Sequence, residues 1–469
     1  PTTVFWSNAN TFSPEVAQTV ASGGAILTTP VTLAALRSTR LPSGQIEVEW
    51  TTATESGQIG FNLYEQTATG LRKLNRELIV ASGGDSLSPH TYRYSVPGPA
   101  TGGLVIEDID IRGEARRRGP FAIGEVHGRA IEPQKIEWAS LATEREAALE
   151  LSESRSARLA ASSTGVRLLV NRDGLYRVSH EALAAAGFDF SGTPIDQLAV
   201  TFRGDPVPIR VGVAKGRSDW GAGRFFEFFG KAASSLDTDT NVYLLSVDRA
   251  RALRMREDST APGVTPVASY LERVVLARNR DYSFASPIAD PWFDTRMLTF
   301  RSAARFDFDL AAENVRSEVG GALSVRLWGV TDWPTAPDHH VRVSINGTAV
   351  GEQIFDGRAE ARMTGNLAVG TVREGANRVT VEMPGDSGVD FDLVNLESLE
   401  LSYPRSFVAR GGRLEFEAAG ATFEVSGLPA SGWAAYRIEP TGPVRLASAT
   451  ARNRDGVSVV AVPGAATAH

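Results

Sequence analysis

The fold is decided most clearly by the stretch Val341-Arg342-Val343-Ser344-Ile345-Asn346-Gly347. Its first five residues alternate between apolar and polar, the pattern of a strand that buries one face and exposes the other. The Asn-Gly pair that follows is favoured in a two-residue type I′ turn, because both positions then need a positive φ. The stretch therefore predicts a β-strand that leads into a hairpin.

The same alternation recurs on both sides of this strand. It appears at Phe306, Phe308 and Leu310; Leu323, Val325 and Leu327; Val379, Val381 and Met383; and Leu399, Leu401 and Tyr403. Five such strands predict a jelly-roll-like β-sandwich over residues 282–405. An earlier series, with Trp50 as its core anchor, predicts a fibronectin type III-like sandwich over residues 31–125.

A third β region lies between these two sandwiches, at residues 165–281. Asp173-Gly174 separates the apolar runs 166–170 and 175–179, and this arrangement predicts a hairpin. A short helix is expected over residues 180–186, with Gly187 at its end. In residues 406–469 we expect a further hairpin, which pairs Leu414 and Phe416 with Phe423 and Val425.

The remaining segments differ from these in composition. Residues 1–30 are rich in Thr, Ser, Ala and Gly and predict an extended arm, whereas residues 126–164 are charged and predict a partly helical linker. The predicted fold class is all-β, with tandem β-sandwich domains joined by a short helical linker. Gly and Pro account for 69 of the 469 residues, which suits many short strands and turns.

Composition also excludes several classes of function. A net charge of −7 offers no basic surface for nucleic acid, and the absence of cysteine excludes disulfides, thiolate zinc sites and a cysteine nucleophile in this chain. No apolar run approaches the ~18 residues of a membrane-spanning helix. Because the chain starts at Pro1 without Met, we expect a mature or processed product from which a targeting segment has been removed.

Paired aspartates are the candidate metal ligands. Asp307 and Asp309 flank Phe308, and Asp390 and Asp392 flank Phe391, so each pair would lie on one face of a strand. Carboxylate oxygens of this kind could bind Ca²⁺ at a sandwich edge. The alternative is an ordinary solvent-facing row opposite a buried phenylalanine.

Tryptophans of the predicted third domain are the candidate ligand contacts. Trp328 and Trp333 are placed to meet a glycan or a partner protein, with interior packing as the alternative, and packing is the favoured interpretation for Trp292. Adjacent His339 and His340 would point in opposite directions on a strand, so at most one could join a metal site.

No complete catalytic motif is present. The sequence lacks His-Glu-x-x-His, a phosphate-binding loop that ends in Lys-Ser or Lys-Thr, and a Gly-x-Ser-x-Gly elbow. Ser179, His180 and Asp173 could be imagined as a triad, but the neighbouring Ser and His would point apart.

Four ordered segments resemble the non-catalytic region that precedes the catalytic domain of gingipain-type cysteine peptidases. They are Val170-Asn171-Arg172-Asp173-Gly174-Leu175-Tyr176-Arg177-Val178, Phe202-Arg203-Gly204-Asp205-Pro206-Val207-Pro208-Ile209, Phe226-Glu227-Phe228-Phe229-Gly230 and Asp237-Thr238-Asp239-Thr240-Asn241-Val242-Tyr243-Leu244-Leu245. Segments at 338–347 and 399–405 look like the sandwich that follows in those proteins. Segments at 49–55 and 60–64 resemble the fibronectin type III-like module often fused in front of them.

The resemblance implies a non-catalytic, propeptide-like scaffold whose partner is a caspase-like catalytic domain of the same gene product. It also implies export, to the cell surface or outside the cell. In that family a His followed by Gly acts with a later Cys, and this chain has no Cys, so His127-Gly128 is not identified with the catalytic pair. Residues 406–469 would then lead to the catalytic domain. The alternative is a surface protein for structure, adhesion or glycan binding, which could associate with copies of itself or with other surface proteins.

Overall fold

The alternating sequence patterns are realised as strands almost throughout the computed structural model. It describes residues 31–82, 85–86, 88–96, 102–129, 165–212, 218–233, 239–283, 291–454 and 456–465. The protein is all-β, with tandem sandwiches and one short helix among these residues. The predicted arm (1–30) and nearly all of the predicted linker (130–164) lie outside the described residues.

Contacts divide the described residues into two compact units, each of which takes two separate stretches of the chain. Unit 1 lies within Pro1–Lys135 and Arg273–Pro404, and unit 2 within Ile136–Glu272 and Arg405–His469. Among the described residues no helix has the length and apolar character that crossing a membrane requires.

The first sandwich of unit 1 has nine strands among its described residues. They are β1 (Thr32–Arg40), β2 (Ile46–Thr54), β3 (Gln58–Thr67), β4 (Gly70–Lys73), β5 (Ile79–Val80), β6 (His90–Val96), β7 (Leu104–Asp110), β8 (Ala115–Phe121) and β9 (Val126–Gly128). One sheet has the order β6-β2-β1-β9, and the other has β4-β3-β7-β8 with β5 on β3. Trp50 is fully buried between them and contacts Phe61 and Tyr92, which confirms it as the core anchor.

The second sandwich of unit 1 begins after the middle of the chain. Its strands are β18 (Tyr270–Leu276), β19 (Asp281–Tyr282), β20 (Trp292–Phe293), β21 (Thr295–Thr299), β22 (Ala304–Ala312), β23 (Gly321–Gly329), β24 (His339–Ile345), β25 (Thr348–Phe355), β26 (Glu360–Leu367), β27 (Gly375–Met383) and β28 (Asp392–Arg405). The sheets are β22-β27-β24-β25 and β18-β28-β23-β26, with β21 on β28, and β19 pairs separately with β20.

The predicted Asn-Gly turn joins β24 to β25. Ile345 pairs with Thr348, so the loop has two residues, and Asn346 and Gly347 have φ values of 51° and 83°. This is the positive-φ geometry of a type I′ turn. For the strand that leads into this turn, the sequence therefore predicts correctly both the buried face and the end.

Unit 2 contains the middle β region and the C-terminal strands. The elements are β10 (Gly165–Val170), β11 (Gly174–Ser179), α1 (His180–Ala185), a 3₁₀ turn (Ile195–Gln197), β12 (Leu198–Phe202), β13 (Asp205–Val207), β14 (Ile209–Gly212), β15 (Phe225–Gly230), β16 (Asn241–Val247), β17 (Arg256–Asp258), β29 (Thr422–Ser426), β30 (Tyr436–Glu439), β31 (Gly442–Leu446), β32 (Thr450–Arg454) and β33 (Val457–Pro463). Its sheets are β10-β16-β12-β13, β11-β15-β14, β17-β31-β30 and β29-β33-β32.

Two expected hairpins do not form. β10 pairs with β16 and β11 pairs with β15, so the chain passes from one sheet to another at Asp173-Gly174. Near the C-terminus β29 pairs with β33, while Leu414 and Phe416 lie outside any strand. Phe416 instead packs its ring against Phe407 and Phe423, at centroid distances of 4.8 and 5.1 Å.

Candidate functional site

A cavity of about 310 Å³ lies between the two sandwiches of unit 1. The sandwiches meet through an apolar cluster in which Ile59 and Ile111 of the first contact Trp328, Phe391 and Leu393 of the second. Beside this cluster the lining becomes polar: Gln58, Asp85 and His90 come from the first sandwich, and Asp281, Ser283 and Asn395 from the second. The apolar cluster holds the walls in place, and the cavity presents a concave polar surface.

Arg296, on β21, is the principal cation of this junction cavity. One Nη donates to the carbonyl oxygen of Gln58 at 3.0 Å, and its backbone N–H donates to Oδ2 of Asp281 at 2.9 Å. Burial lowers the pKa of Arg296, and the negative charges of Asp85 and Asp281 oppose that shift. The side chain therefore contributes a partly desolvated guanidinium, a strong donor for an oxygen atom.

Two side chains at the cavity wall are buried without a hydrogen-bond partner for their oxygen among the described residues. They are Ser283, 4 % exposed, and Asn395, 3 % exposed; the atoms concerned are Oγ and Oδ1. A buried polar atom without a partner is unfavourable. These two atoms mark positions where a bound molecule would supply the missing hydrogen bonds.

The rim of the junction cavity is aromatic. Tyr282 and Trp292 face each other across the short β19–β20 pair, edge to face, with ring centroids 5.1 Å apart. They are 38 % and 40 % exposed. The interpretation of Trp292 as an interior packing residue was therefore wrong, because a cavity between two sandwiches leaves no local sequence pattern.

The four aspartates predicted to bind calcium lie in different environments. Asp307 accepts a hydrogen bond from Thr380 at 2.6 Å, Asp309 forms an ion pair with Arg378 at 3.1 Å, and Asp390 pairs with Arg301. Asp392 is 3 % exposed and contacts His339.

These contacts do not bring the four carboxylates together. Over the part of the chain that the structure describes, no group of three or more His, Asp or Glu side chains could hold a metal ion. Asp307 and Asp309 share one exposed face of β22, in agreement with the alternation. Their carboxylate oxygens already accept hydrogen bonds from Thr380 and Arg378 on the neighbouring β27. The calcium site remains a proposal without a ligand set in this structure.

The two tryptophans predicted to contact a ligand pack at the junction of the two sandwiches of unit 1. Trp328 is 4 % exposed and belongs to the apolar cluster between the sandwiches. Trp333 donates its indole N–H to the carbonyl of Phe391 at 2.9 Å and lies against Gly113, where an added Cβ would come within 2.2 Å of the indole ring. Both side chains thus join the sandwiches, and of the three tryptophans considered it is Trp292 that reaches the cavity.

The adjacent histidines contact different carboxylates. His339 is fully buried, with Nδ1 2.6 Å from Asp392 and Nε2 3.0 Å from the carbonyl of Gly357. Burial opposes its charged form, but the hydrogen bond to Asp392 and the nearby negative charges outweigh burial and raise the pKa of His339. His340 contacts Asp386 and Glu352 at 2.6 and 2.5 Å.

Unit 2 has a buried carboxylate that the sequence interpretation treated only as part of a motif. Glu227, 2 % exposed, accepts hydrogen bonds from Arg177 at 2.6 and 2.9 Å, from Arg210 at 2.9 Å and from the hydroxyl of Tyr436. Burial would raise its pKa, but these donors outweigh burial and lower it. The signal in the sequence was a glutamate surrounded by phenylalanines at 225–229.

This carboxylate borders a cleft of about 670 Å³ in unit 2. Its walls are mainly apolar and include Leu175, Phe229, Phe416 and Trp433. The Glu227 carboxylate is already neutralised by Arg177 and Arg210, so it adds no reactive group to this mainly apolar cleft.

The imagined triad residues have structural roles. Ser179 caps α1 by accepting the N–H of Ala182, His180 Nε2 lies 3.0 Å from Ser191, and Asp173 accepts the N–H of Ala232. These contacts leave no nucleophile, base and orienting acid in mutual reach.

Comparison with known proteins gives only partial structural similarities. No family model matches the chain, and no curated protein matches it. Latent PorU from Porphyromonas gingivalis overlaps 64 % of this chain at 15 % identity and a TM-score of 0.46. The chain spans 30 % of the length of that PorU chain.

Two further solved structures overlap more of the chain at lower scores. They are the cycloalternan-forming enzyme of Listeria monocytogenes (12 % identity, 76 % of this chain and 30 % of the other, TM-score 0.19) and the delta-endotoxin Cry8Ea1 of Bacillus thuringiensis (8 %, 80 % and 53 %, TM-score 0.19).

Proposed function

We propose that this chain is the non-catalytic scaffold region of an exported gingipain-like cysteine peptidase, which folds, holds or positions the catalytic domain. The observation that supports the proposal is where the residues of the sequence resemblance lie. Segments 174–178 and 226–230 are distant in sequence but pair as β11 and β15, where Tyr176 stacks on Phe228 and Arg177 binds Glu227. These two segments of the resemblance therefore build part of unit 2 together.

The chemistry of a cysteine peptidase must come from outside this chain. The chain has no cysteine. His127-Gly128 has the same dipeptide as the catalytic histidine of the family. It lies in β9 of the first sandwich, where His127 pairs with Leu36 and its ring contacts Phe121. The partner required by the proposal is a caspase-like domain of the same gene product.

The first test is to sequence the gene beyond the codon for His469 and to measure the intact mass of the native protein. A following domain that contains His-Gly and a later Cys supports the proposal, and the mass then shows whether that domain stays attached. A stop codon directly after His469 overturns it for this protein.

A second test addresses the scaffold role itself. The encoded catalytic domain is produced alone and together with this chain, and its soluble yield and peptidase activity are compared. We expect co-production to raise the soluble yield and the two chains to co-purify. Equal yield and no co-purification would oppose a scaffold role.

The second candidate is a free-standing surface protein that acts in adhesion, assembly or glycan binding. It is favoured by β25, an edge strand of its sheet whose residue Ile354 is 57 % exposed, because an edge strand can pair with a strand of another copy. The same gene sequence separates this candidate from the first. Light scattering of the purified chain would then show self-association that Ile354→Lys reduces.

A further inference from the structure

We propose that the junction cavity of unit 1 binds one sugar residue, an uncharged ring that carries several hydroxyl groups. The inference stands on unit 1 alone and applies under either of the proposed functions. It replaces the predicted contacts Trp328 and Trp333 with a different set of residues.

The charges at the cavity are balanced. Arg280 and Arg296 supply two positive charges, and Asp85 and Asp281 supply two negative charges. Each is held by protein contacts: Arg280 by Asp294, Asp85 by the N–H of Gly57, and Asp281 by the N–H of Arg296. An ionic ligand would add a net charge to this partly enclosed site without a free protein charge to compensate it. A neutral polar ligand adds no net charge.

The polar groups at the wall need both donors and acceptors from the ligand. Asn395 Oδ1 is an acceptor, Ser283 Oγ can donate or accept, and the Arg296 guanidinium only donates. A hydroxyl group both donates and accepts, so a ring with several hydroxyls can satisfy all three. Because Oγ and Oδ1 lack partners among the described residues, a ligand hydroxyl there would form hydrogen bonds that the protein itself does not make.

The aromatic rim fits the other face of such a ring. A sugar has an apolar C–H face beside its hydroxyls, and the half-exposed rings of Trp292 and Tyr282 offer an apolar surface at the mouth of a polar cavity. The cavity volume of about 310 Å³ is at the lower end of the range for ligand pockets. A single ring therefore fits better than a long oligosaccharide.

The test is to titrate the full chain with D-glucose, D-galactose, D-mannose, N-acetyl-D-glucosamine and L-fucose. Binding is measured by saturation-transfer NMR and by calorimetry. We expect saturable binding of at least one sugar. Trp292→Ala should weaken it by about tenfold, consistent with the loss of one aromatic contact surface. Ser283→Ala should weaken it by several-fold.

The matched control is Phe300→Ala, which removes a half-exposed aromatic side chain of the second sandwich outside the cavity lining and should leave affinity unchanged. If hydrogen exchange shows that Trp292→Ala unfolds unit 1, the sugar affinity of Ser283→Ala is used as the test of the proposal. The proposal is overturned if no sugar binds, if both cavity variants bind like the control, or if glycine competes with or replaces the sugar, because a zwitterion would then be the ligand.

Discussion

At the scale of single residues, Glu227 is the strongest charged contact of unit 2. Its carboxylate is almost fully enclosed and receives hydrogen bonds from two arginines and a tyrosine. Tyr436 belongs to the C-terminal stretch, so the same carboxylate joins both stretches of unit 2. A buried charge is stable only with such partners, and its loss leaves the partners uncompensated.

Glu227→Gln should destabilise unit 2 by about 2 to 3 kcal/mol, the range for lost hydrogen bonds to a charged group. Because the pKa of Glu227 is lowered in the fold, its contribution is present above the unfolded value of about 4.3 and is lost as the pH falls through the lower, folded value. Hydrogen exchange of peptides from 165–233 and 422–454 measures the effect at pH 7 and at pH 3.

The matched control for this change is Glu415→Gln. Glu415 pairs with Arg413 at 2.5 Å, but both side chains are more than 60 % exposed. Such a pair contributes ~0.5 kcal/mol or less. Equal effects of the two substitutions would show that the buried cluster is not what stabilises unit 2.

His339 makes the stability of the second sandwich depend on pH in the direction opposite to that of Glu227 in unit 2. Its two ring nitrogens face two acceptors, Asp392 and the carbonyl of Gly357, so the charged form satisfies both. With a pKa raised in the fold, its stabilising effect is complete below the unfolded value of about 6.5 and is lost as the pH rises through the folded value.

We therefore expect the Tm of the wild-type chain to fall between pH 6 and pH 9 by an amount that His339→Gln removes. His180→Gln, in unit 2, is the control and should keep the pH dependence. Histidine-selective NMR provides the direct measurement. A His339 resonance that titrates below pH 6.5 would refute the assignment.

At the level of strands, the sequence predicted features that neighbouring residues determine, such as a strand's buried face and its turn. It missed the pairing of strands that are distant in the chain. The alternation in β24 and the Asn346-Gly347 turn are local, and both were correct. The Asp-Gly signal at 173–174 was equally local, but β11 gains a full-length partner in β15, more than 45 residues later. A local turn signal does not show whether a distant strand will pair more favourably than the adjacent one.

The candidate site shows the same limit. Trp328 looks exposed from the alternation of its strand and Trp333 from its Pro-rich loop, because the residues they pack against belong to the first sandwich, about 220 residues earlier. Asn395 and Ser283 likewise carry no motif. Their significance arises from burial without a partner, which is a property of packing and not of local sequence.

The end of β23 offers a test of close packing between strands. A Cβ added to Gly329 would lie 2.4 Å from His339 Nε2 and 2.3 Å from the carbonyl oxygen of Gly357. Gly329→Ala should therefore destabilise the second sandwich by about 1 to 3 kcal/mol, measured by urea unfolding.

Gly351→Ala is the control for this substitution. There the nearest atom is the sulfur of Met363, at 2.8 Å, which belongs to a flexible side chain that can move away. We expect a change of less than ~1 kcal/mol. If Gly329→Ala is equally mild, the space around His339 is not as restricted as the strand geometry indicates.

At the scale of the whole molecule, the units do not follow the order of the chain. A linear interpretation separates residues 165–281 from residues 406–469, whereas contacts place 405–469 with 136–272. β31 pairs in parallel with β17 across nearly 190 residues, and Tyr436 completes the Glu227 cluster. Reading successive patterns identified most strands but could not identify which separated stretches share a core.

This interleaving predicts that residues 165–281 are not stable when produced alone. Without the C-terminal stretch, Glu227 loses Tyr436, β17 loses its only neighbouring strand among the described residues, and apolar residues at the unit 2 cleft, such as Leu175 and Phe229, become more exposed. We expect the fragment to bind a hydrophobic dye and to show weak hydrogen-exchange protection in β15. Exposed apolar surface of this kind is the usual cause of both properties.

Co-production of residues 165–281 with residues 405–469 should restore protection, because the missing contacts are between side chains and strands and do not require a continuous chain. The control is the same pair with Tyr436→Phe, which keeps the ring but removes the hydroxyl donated to Glu227 and should restore protection only in part. If residues 165–281 are as protected alone as in the full chain, then the C-terminal strands are an independent addition and the linear domain order is the correct description.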